Sequence, residues 1–458
     1  TIYLDGYDEC SSILNIPFYF WYERTVPSDL LHNAFYRTLE EFPILAGRAK
    51  TGNDSRSYVV IDRNRLNMPE YTDASCNIHF QTLKDADFDI NLLPVDYSPA
   101  CKSPAPPGLI GRCMKLAEFH VLRMKENSGM CIFASISHMV FDGMAYSSFM
   151  RRWADISKCF VEAQEQNVLD VNIPTEHFQH DRSILETDAH RSTDALEPEI
   201  CELFNNSTMF ARWVAWFSPE LRGRIFRYML SVPGISNYYY HLSAAAYEQL
   251  VKLTQPFIEP GISGLSANDV ISALATVLLA QALHKAGRLN GEVVVLSNII
   301  ADIRPRIKRL ANANYVGNAV LLKVVASPLD SLLGGCNPQV LAAVACNIRR
   351  AVDSLDERYC EQIGYLINKN HCSHVSVNMQ VTTASNACVM SNLTRFAYYQ
   401  TDFGSGAPAL VRPALLIFEN GFIIMPTRPG QGGYDLAFTL APNVAKAMTE
   451  SDWWQYIR

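Results

Sequence analysis

One histidine of this chain stands in a sequence setting that favours acid–base chemistry. His138 follows residues 131–137, a short apolar stretch of strand type, and precedes a stretch with apolar residues at helical spacing. Asp142 lies four residues after the histidine, and Gly143, a residue that frees the backbone for a sharp turn, comes next. Histidine is the usual general base because its unperturbed pKa lies nearest neutrality. The pattern predicts a base at the mouth of a cleft, where it takes a proton from a substrate hydroxyl or amine.

Two other His-x-x-x-Asp matches occur in the chain, and their settings differ. They begin at His177 and His190, in a polar stretch without a preceding strand or a following glycine. Because the chain has 11 histidines, chance matches are expected, and we interpret both as accidental. For His138 the competing interpretation is a core histidine whose hydrogen bonds are satisfied within the fold. The local pattern leaves both interpretations of His138 open.

Motifs of several other enzyme classes are missing. The chain contains no Gly-x-Ser-x-Gly elbow, Walker loop or His-Glu-x-x-His pair, which argues against serine hydrolases, P-loop NTPases and zinc proteases. Its 12 cysteines include no Cys-x-x-Cys pair, so we predict free thiols in a reducing cytoplasm and no metal. The glycine-rich residues 404–406 and 430–433 lack the flanking strand and helix of a phosphate loop. What remains is a base that acts without a nucleophilic partner residue.

The composition is that of an ordinary globular protein, with 48% hydrophobic and 19% charged residues. A chain of 458 residues is too long for one core and predicts two domains. The net charge of −7 and the lack of basic runs argue against nucleic acid as a partner. The longest apolar run, residues 270–283, is shorter than the roughly 20 residues that span a bilayer. It predicts a buried helix and no membrane span.

Strand-like and helical segments alternate in both halves of the chain. This alternation predicts an α/β fold, or α+β two-layer sandwiches, formed twice. Residues 116–124 and 130–137 flank a turn-rich segment and predict the hairpin that carries the histidine. Residues 164–208 predict a polar crossover, and residues 209–232 a helical packing segment. An Asn-Gly pair at residues 420–421 is the residue pair of a tight hairpin turn.

A series of motifs then identifies a family that the chain resembles. In order along the chain they are residues 42–48 (Phe-Pro-Ile-Leu-Ala-Gly-Arg), the histidine motif 138–143, residues 302–306 (Asp-Ile-Arg-Pro-Arg), residues 315–318 (Tyr-Val-Gly-Asn) and residues 401–408 (Thr-Asp-Phe-Gly-Ser-Gly-Ala-Pro). From the first helix onward the chain resembles the BAHD acyltransferases of plants and fungi, part of the CoA-dependent acyltransferase superfamily. Each motif is weak alone, but their common order and spacing are specific.

The resemblance implies two similar chloramphenicol-acetyltransferase-like domains around a central solvent channel. We place the N-terminal domain at residues 1–170, the crossover with its helical segment at 171–232 and the C-terminal domain at 233–458. Residues 404–425 would cross back to extend the first domain's sheet. Acyl-CoA would enter one mouth of the channel and the acceptor the other, with the aromatic residues 13–22 and residues 209–232 lining the acceptor half.

The resemblance also assigns roles to single residues. His138 would remove the acceptor's proton, and the acceptor would attack the thioester directly, without an acyl-enzyme. Asp142 would form an ion pair with Arg304 and brace the histidine turn from the second domain. Asp402, Gly404 and Gly406 of the late motif would have a structural role, remote from the chemistry.

The chain departs from the family pattern at two positions. Ser405 replaces the usual tryptophan of the late motif, and Leu393 stands where many members have a tryptophan near the reacting carbonyl. Ser391 or Asn392 could donate the oxyanion hydrogen bond instead; the alternative is that both are strand residues pointing elsewhere. Ser266 is either a coenzyme A contact or a plain helix cap.

The resemblance therefore predicts an acyl-CoA-dependent O-acyltransferase that acts on a hydroxyl of a largely apolar specialised metabolite. Acetyl-CoA is the expected donor because acetyl is the family's commonest acyl group, and a monomer is expected. One alternative is an N-acyltransferase or a CoA-independent intramolecular cyclase that uses the same histidine. Another is a binding protein with a decayed site, against which the intact His138, Asp142, Gly143 and Arg304 argue.

Overall fold

The computed structural model describes residues 1–11, 15–52, 56–94, 115–168, 171–186, 234–369, 385–414 and 419–457. The strands are β1 Ile2–Tyr3, β2 Asn15–Tyr22, β3 Arg48–Thr51, β4 Ser57–Val60, β5 Glu70–Ser75, β6 Ala117–Arg123, β7 Met130–Ser137, β8 Ser236–Leu242, β9 Val294–Asp302, β10 Val320–Pro328, β11 Ala387–Asn392, β12 Leu410–Pro413, β13 Gly421–Met425 and β14 Tyr434–Leu440. The helices are α1 Gly6–Ser11, α2 Ser28–Glu41, α3 Phe80–Asp85, α4 Gly143–Glu165, α5 Ala244–Thr254, α6 Ala267–Lys285, α7 Leu329–Leu332, α8 Pro338–Asp353, α9 Glu357–Lys369 and α10 Pro442–Thr449.

Two large mixed sheets organise the two halves of the molecule, so the predicted α/β architecture is confirmed. A five-stranded sheet has the order β12-β2-β7-β6-β5, and a six-stranded sheet has the order β10-β9-β11-β13-β14-β8. A small sheet, β1-β4-β3, lies beside them in the chain's first sixty residues. The predicted hairpin is present, since β6 and β7 pair antiparallel with Arg123 opposite Met130.

The late segment that extends the first sheet is shorter than the predicted residues 404–425. Strand β12 pairs antiparallel with β2, so a four-residue piece of the last quarter of the chain extends the first sheet. Residues 421–425, which the sequence placed in the same crossing segment, form β13 in the six-stranded sheet. The strand that would precede the Asn-Gly turn falls largely on residues 415–418, which lie outside the described residues. Asn420 does adopt the left-handed conformation, with φ of 62°, which asparagine tolerates well.

Strand β7 is buried along its whole length because both faces of its sheet are covered. One face packs against α2 and α4, whose Phe149, Trp153 and Ile156 recur at helical spacing and are all fully buried. The other face packs against α3 through a second aromatic cluster. The aromatic side chains of β2 belong to these two clusters, so they form core and do not line a channel as the sequence suggested.

The six-stranded sheet is covered by α5, α6, α8 and α10. Helix α6 is apolar on nearly all sides, which is the pattern of a helix surrounded by protein. It is long and apolar enough to cross a membrane by length and composition, yet 78% of its most apolar window is buried inside the fold.

A third cluster joins pieces from distant parts of the chain beneath the histidine turn. It contains Tyr7 of α1, Leu185, Ile303, Tyr315 and side chains of α9. The first helix therefore packs on the C-terminal half, where the amide N–H of Gly6 also donates to Asn368 Oδ1 at 2.8 Å.

The polar segment after α4 does more than cross between the halves. Within its described part, residues 171–186, Arg182 and Leu185 are buried, and Gln179 forms a parallel bridge with Tyr315. The helical segment predicted at residues 209–232 lies outside the described residues.

Candidate active site

His138 lies in the turn between β7 and α4, where the sequence predicted a strand-to-helix junction. Its ring is partly buried, and Nδ1 lies 2.9 Å from Oδ1 of Asn318. Among the residues that the structure describes, the other ring nitrogen, Nε2, has no hydrogen-bond partner. This nitrogen is therefore the one available to a substrate.

The amide of Asn318 determines which ring nitrogen carries the proton. Its Nδ2 donates to the backbone carbonyl of His138 at 2.8 Å and to Oδ1 of Asp8 at 2.7 Å. If the amide were flipped, its oxygen would face two other oxygens, so Oδ1 must face the imidazole. Because that oxygen can only accept, Nδ1 of His138 is the donor. A neutral imidazole held this way presents a bare Nε2 that can accept a proton.

The electrostatic surroundings keep His138 neutral. Burial lowers the pKa of the imidazole below its ordinary value, and the Asp142 carboxylate and the hydrogen bond with Asn318 offset this only in part. At neutral pH the ring is therefore mostly in the form that accepts a proton.

Asp142 braces the turn and does not contact the histidine ring. Its Oδ1 accepts hydrogen bonds from the backbone N–H groups of Met144 at 3.1 Å and Ala145 at 3.0 Å, which caps α4. Its Oδ2 accepts from the backbone N–H of Ala319 at 3.0 Å. Three backbone donors from two parts of the chain thus converge on one buried carboxylate.

Arg304 completes this arrangement with a bidentate ion pair to Asp142, at 2.7 and 3.1 Å. It also donates to the backbone carbonyls of Tyr315 and Gly317 at 3.2 and 2.7 Å. Burial alone would raise the pKa of Asp142, but the guanidinium and the backbone donors hold it below its usual range. The carboxylate is therefore ionised at neutral pH, and the pair ties the histidine turn to the segment after β9.

Gly143 is required for space and not for an unusual backbone conformation. It is the first residue of α4, and a side chain there would place Cβ 2.6 Å from the ring of Phe396. The sequence interpretation, a glycine that frees the backbone for a turn, gave the wrong reason for the right residue.

The residues proposed for coenzyme A and for the oxyanion lie near one another at the C-terminal half. Ser266 forms a capping box with Asp269 at the start of α6, which is the helix-cap role that the sequence left open. Asn392 at the end of β11 donates to Asn268 Oδ1 at 3.2 Å and accepts from Thr394. Ser391 lies on the same strand and pairs in register with Ile423 of β13.

The late motif folds into a tight turn held by Asp402. Its Oδ1 accepts from the backbone N–H groups of Gly404 at 2.9 Å and Gly406 at 2.7 Å, and its Oδ2 pairs with Lys158 at 3.0 Å. Both glycines have left-handed backbone angles, with φ of 100° and 95°. The side chain of Ser405, which replaces a family tryptophan, is buried in this turn.

Sequence reasoning did not single out three residues that support His138. Asn318 appeared only as the last residue of a motif, Asp8 lay in a segment that carried no interpretation, and Arg182 lay in the predicted polar crossover. Arg182 is buried and donates to Asp8 Oδ2 at 3.0 Å and to the backbone carbonyl of Val140 at 2.7 Å. Its only sequence signal was an arginine in a segment interpreted as a solvated crossover.

In the part of the chain that the structure describes, no group of three or more His, Cys, Asp or Glu side chains is arranged to hold a metal ion. The geometry is that of a single oriented base beside a buried ion pair.

Comparison with known proteins identifies the class of this arrangement. The family model named Transferase family matches residues 2–191 and 269–452, which is most of the chain. The chain belongs to this family, the BAHD acyltransferases, as the motif series predicted. The fold is shared with F. graminearum TRI101, whose structure with coenzyme A and deoxynivalenol aligns with a TM-score of 0.77 over 100% of this chain and 99% of that chain, at 15% identity.

Curated relatives are distant and differ in what they transfer. Phenolic glucoside malonyltransferase 1 of Arabidopsis thaliana is 24% identical over 69% of this chain and 63% of its own length. Anthranilate N-benzoyltransferase protein 1 of Dianthus caryophyllus is 24% identical over 66% and 60%. The O-acetyltransferase pboB of Aspergillus ustus is 22% identical over 42% of each chain. The chain thus spans between 42% and 63% of these relatives' lengths.

Proposed function

We propose that this protein is an acyl-CoA-dependent O-acyltransferase, with His138 as its general base and a hydroxyl of a largely apolar specialised metabolite as its acceptor. The observation that carries the proposal is the oriented imidazole, since Asn318 engages Nδ1 and leaves Nε2 available. Acetyl-CoA is the proposed acyl donor, in keeping with the O-acetyltransferase among the relatives. The proposed location is cytoplasmic, and the proposed state is a monomer.

The proposed reaction is a direct transfer within a ternary complex. Nε2 of His138 takes the proton of the acceptor hydroxyl while its oxygen attacks the thioester carbonyl. The new C–O bond forms and the C–S bond breaks. The imidazolium then gives its proton to the thiolate of coenzyme A, which leaves as the free thiol. Positioned proton transfer of this kind contributes about 10²- to 10⁴-fold, and holding both substrates together contributes more. Ser391 and Asn392 remain the proposed oxyanion donors, although one Nδ2 hydrogen of Asn392 is engaged by Asn268.

The test combines a binding measurement with a donor and acceptor panel. Calorimetry with coenzyme A is expected to show binding by the full chain. Acetyl-, malonyl- and benzoyl-CoA would then be offered with matched alcohol and amine acceptors, and product mass would be compared with released free thiol. Ester formation with one thiol released per product is expected.

The other outcomes separate the alternatives. Amides as sole products would favour an N-acyltransferase, a possibility that the N-benzoyltransferase among the relatives keeps open. Turnover without coenzyme A binding would favour an intramolecular cyclase. Binding without turnover across the panel would favour a protein whose site has decayed.

The pH profile provides an independent prediction. The neutral imidazole is the active form, and burial lowers the pKa of His138 below its ordinary 6.5. We therefore expect kcat/KM to be level at neutral pH and to fall on the acid side with a midpoint below pH 6.5, as His138 becomes protonated. A midpoint above that value would contradict the assignment of His138 as the base.

A further inference from the structure

Asp8, in the first ten residues of the chain, lies directly behind Asn318. The two residues are 310 positions apart, yet Oδ1 of Asp8 accepts from both the side-chain Nδ2 of Asn318 at 2.7 Å and its backbone N–H at 3.2 Å. Asp8 is fully buried in α1, a helix that packs on the C-terminal half. The carboxylate, the amide and the imidazole therefore form one continuous chain of hydrogen bonds.

We propose that Asp8 is a positioning residue for the acyl transfer: its carboxylate fixes the orientation of the Asn318 amide, which in turn holds His138 in the tautomer that has Nε2 free. This inference rests on the proposed function for its kinetic consequence but not for its structural one. A carboxylate can only accept hydrogen bonds, so it dictates that the amide nitrogen points toward α1. The amide oxygen is then forced toward Nδ1, 2.9 Å away.

The other half of the Asp8 carboxylate is held by a buried cation. Arg182 donates to Oδ2 at 3.0 Å and also donates to the carbonyls of Val140 and Val316, at 2.7 and 3.3 Å. Val140 lies in the histidine turn and Val316 in the turn that carries Asn318. One guanidinium therefore binds the histidine turn, the turn that carries Asn318 and the Asp8 carboxylate. These contacts hold both turns in place relative to Asp8. Burial raises the pKa of Asp8, and the contact with Arg182 opposes that rise and favours the ionised form.

The neighbouring Asp5 is a matched control. It is also buried, it immediately precedes α1, and its Oδ1 accepts from the backbone N–H of Asp8 at 2.9 Å. In the described residues it makes no hydrogen bond with Asn318 or His138. Asp5→Asn keeps an acceptor for that N–H, so it alters a carboxyl group of the same buried region without entering the chain of hydrogen bonds.

Asp8→Asn preserves the shape of the side chain but replaces a group that only accepts hydrogen bonds with one that also donates them. The new amide has one oxygen, and the charged Arg182 competes for it with Asn318. When the oxygen faces Arg182, the NH₂ group of residue 8 faces the Asn318 amide and favours an amide oxygen there, while the His138 carbonyl, which accepts from Nδ2, still favours the original orientation. In the molecules whose Asn318 amide turns over, Nδ2 would point at Nδ1 of His138, the ring proton would move to Nε2, and the base would be lost.

Nitrogen NMR of the ring nitrogens reads out this change directly, without substrate. The full-length protein would be labelled with ¹⁵N-histidine, and the His138 signals identified as those missing from a His138→Ala sample. The wild type and Asp5→Asn are expected to show His138 with a protonated Nδ1 and a bare Nε2. Asp8→Asn is expected to show a substantial population of the opposite tautomer.

Kinetics provide the second readout. Asp8→Asn is expected to lower kcat by about 10- to 100-fold, as loss of a residue that orients a functional histidine commonly does, with KM for both substrates unchanged. Asp5→Asn is expected to leave both constants unchanged. A general loss of packing would instead raise KM and lower thermal stability in both variants.

A second variant guards against poor folding of Asp8→Asn, which leaves Arg182 with an incomplete partner. Asp8→Ala combined with Arg182→Met removes both buried charges together, a replacement that proteins often tolerate. It too removes the carboxylate from the Asn318 amide and leaves the His138 carbonyl as the remaining acceptor, so a mixture of tautomers is expected. If folded samples of the variants keep the Nδ1-protonated form alone, or if the wild type shows the opposite form, the role of Asp8 is overturned. If the tautomer shifts as expected but no acyl transfer is found with any substrate, the proposed function fails and the role of Asp8 stands.

Discussion

His138→Ala is expected to lower kcat by at least about 10²- to 10⁴-fold, because it removes the only group proposed to accept the acceptor's proton. The melting temperature is expected to stay within a few degrees of the wild type. The substitution leaves the buried Oδ1 of Asn318 without its imidazole partner, at a cost of about 1–3 kcal/mol, but the ion pair that holds the turn is untouched. Steady-state kinetics and thermal unfolding on the same samples measure both quantities.

A second His-x-x-x-Asp match provides the control for that experiment. His177 has the same spacing to an aspartate as His138, and its side chain is exposed. His177→Ala is expected to leave kcat, KM and melting temperature unchanged. Activity retained in His138→Ala, or lost equally in His177→Ala, would exclude the proposed mechanism.

Arg304→Met is expected to destabilise the protein by about 3–5 kcal/mol at neutral pH, the usual cost of leaving a buried charge without its partner. Asp142 is 1% exposed in its side chain and would keep its three backbone donors, but it would lose the bidentate guanidinium. Activity is expected to fall as well, because the pair joins the histidine turn to the second half of the molecule. Chemical denaturation at several pH values measures the effect.

The loss of stability in Arg304→Met is expected to depend on pH in one direction. In the wild type the pKa of Asp142 is held below its ordinary 3.8, so the ion pair stabilises the fold above that pH and its contribution is lost as pH falls through the folded-state pKa. Without Arg304, burial raises the pKa of Asp142, and protonation relieves the buried charge at higher pH. The gap in stability between the two proteins should therefore narrow as the pH is lowered.

Arg309→Met is the matched control for this substitution. Its pair with Glu361 has the same 2.7 Å separation, but both side chains are about one-third exposed, at 33% and 32%. Such surface pairs contribute about 0–1 kcal/mol. A loss in Arg304→Met no greater than that in Arg309→Met would mean that the buried pair does not hold the turn.

Much of the fold followed from local patterns. The hairpin of β6 and β7, the helix after the histidine and the buried α6 were all predicted, because hydrophobic periodicity is decided within a dozen residues. The late segment was predicted to extend the first sheet, and β12 does so, but the predicted bounds were too long because residues 421–425 join the other sheet. Whether a short strand joins one sheet or another depends on which edge is free in the folded molecule, and a four-residue strand such as β12 has no pattern of its own.

The candidate site was likewise predicted in part from the sequence and completed by the tertiary structure. The sequence by itself determined which histidine is the candidate base and which acid and arginine form the buried pair beside it, since His138, Asp142 and Arg304 lie in short motifs whose order along the chain is specific. Only the tertiary structure decided which ring nitrogen of His138 is left without a partner among the described residues, because Asn318 is 180 residues from His138 and Asp8 is 310 residues from Asn318. Hydrogen bonds over such separations depend on how the two ends of the chain dock, and single polar residues that meet there leave no periodic signal in either segment.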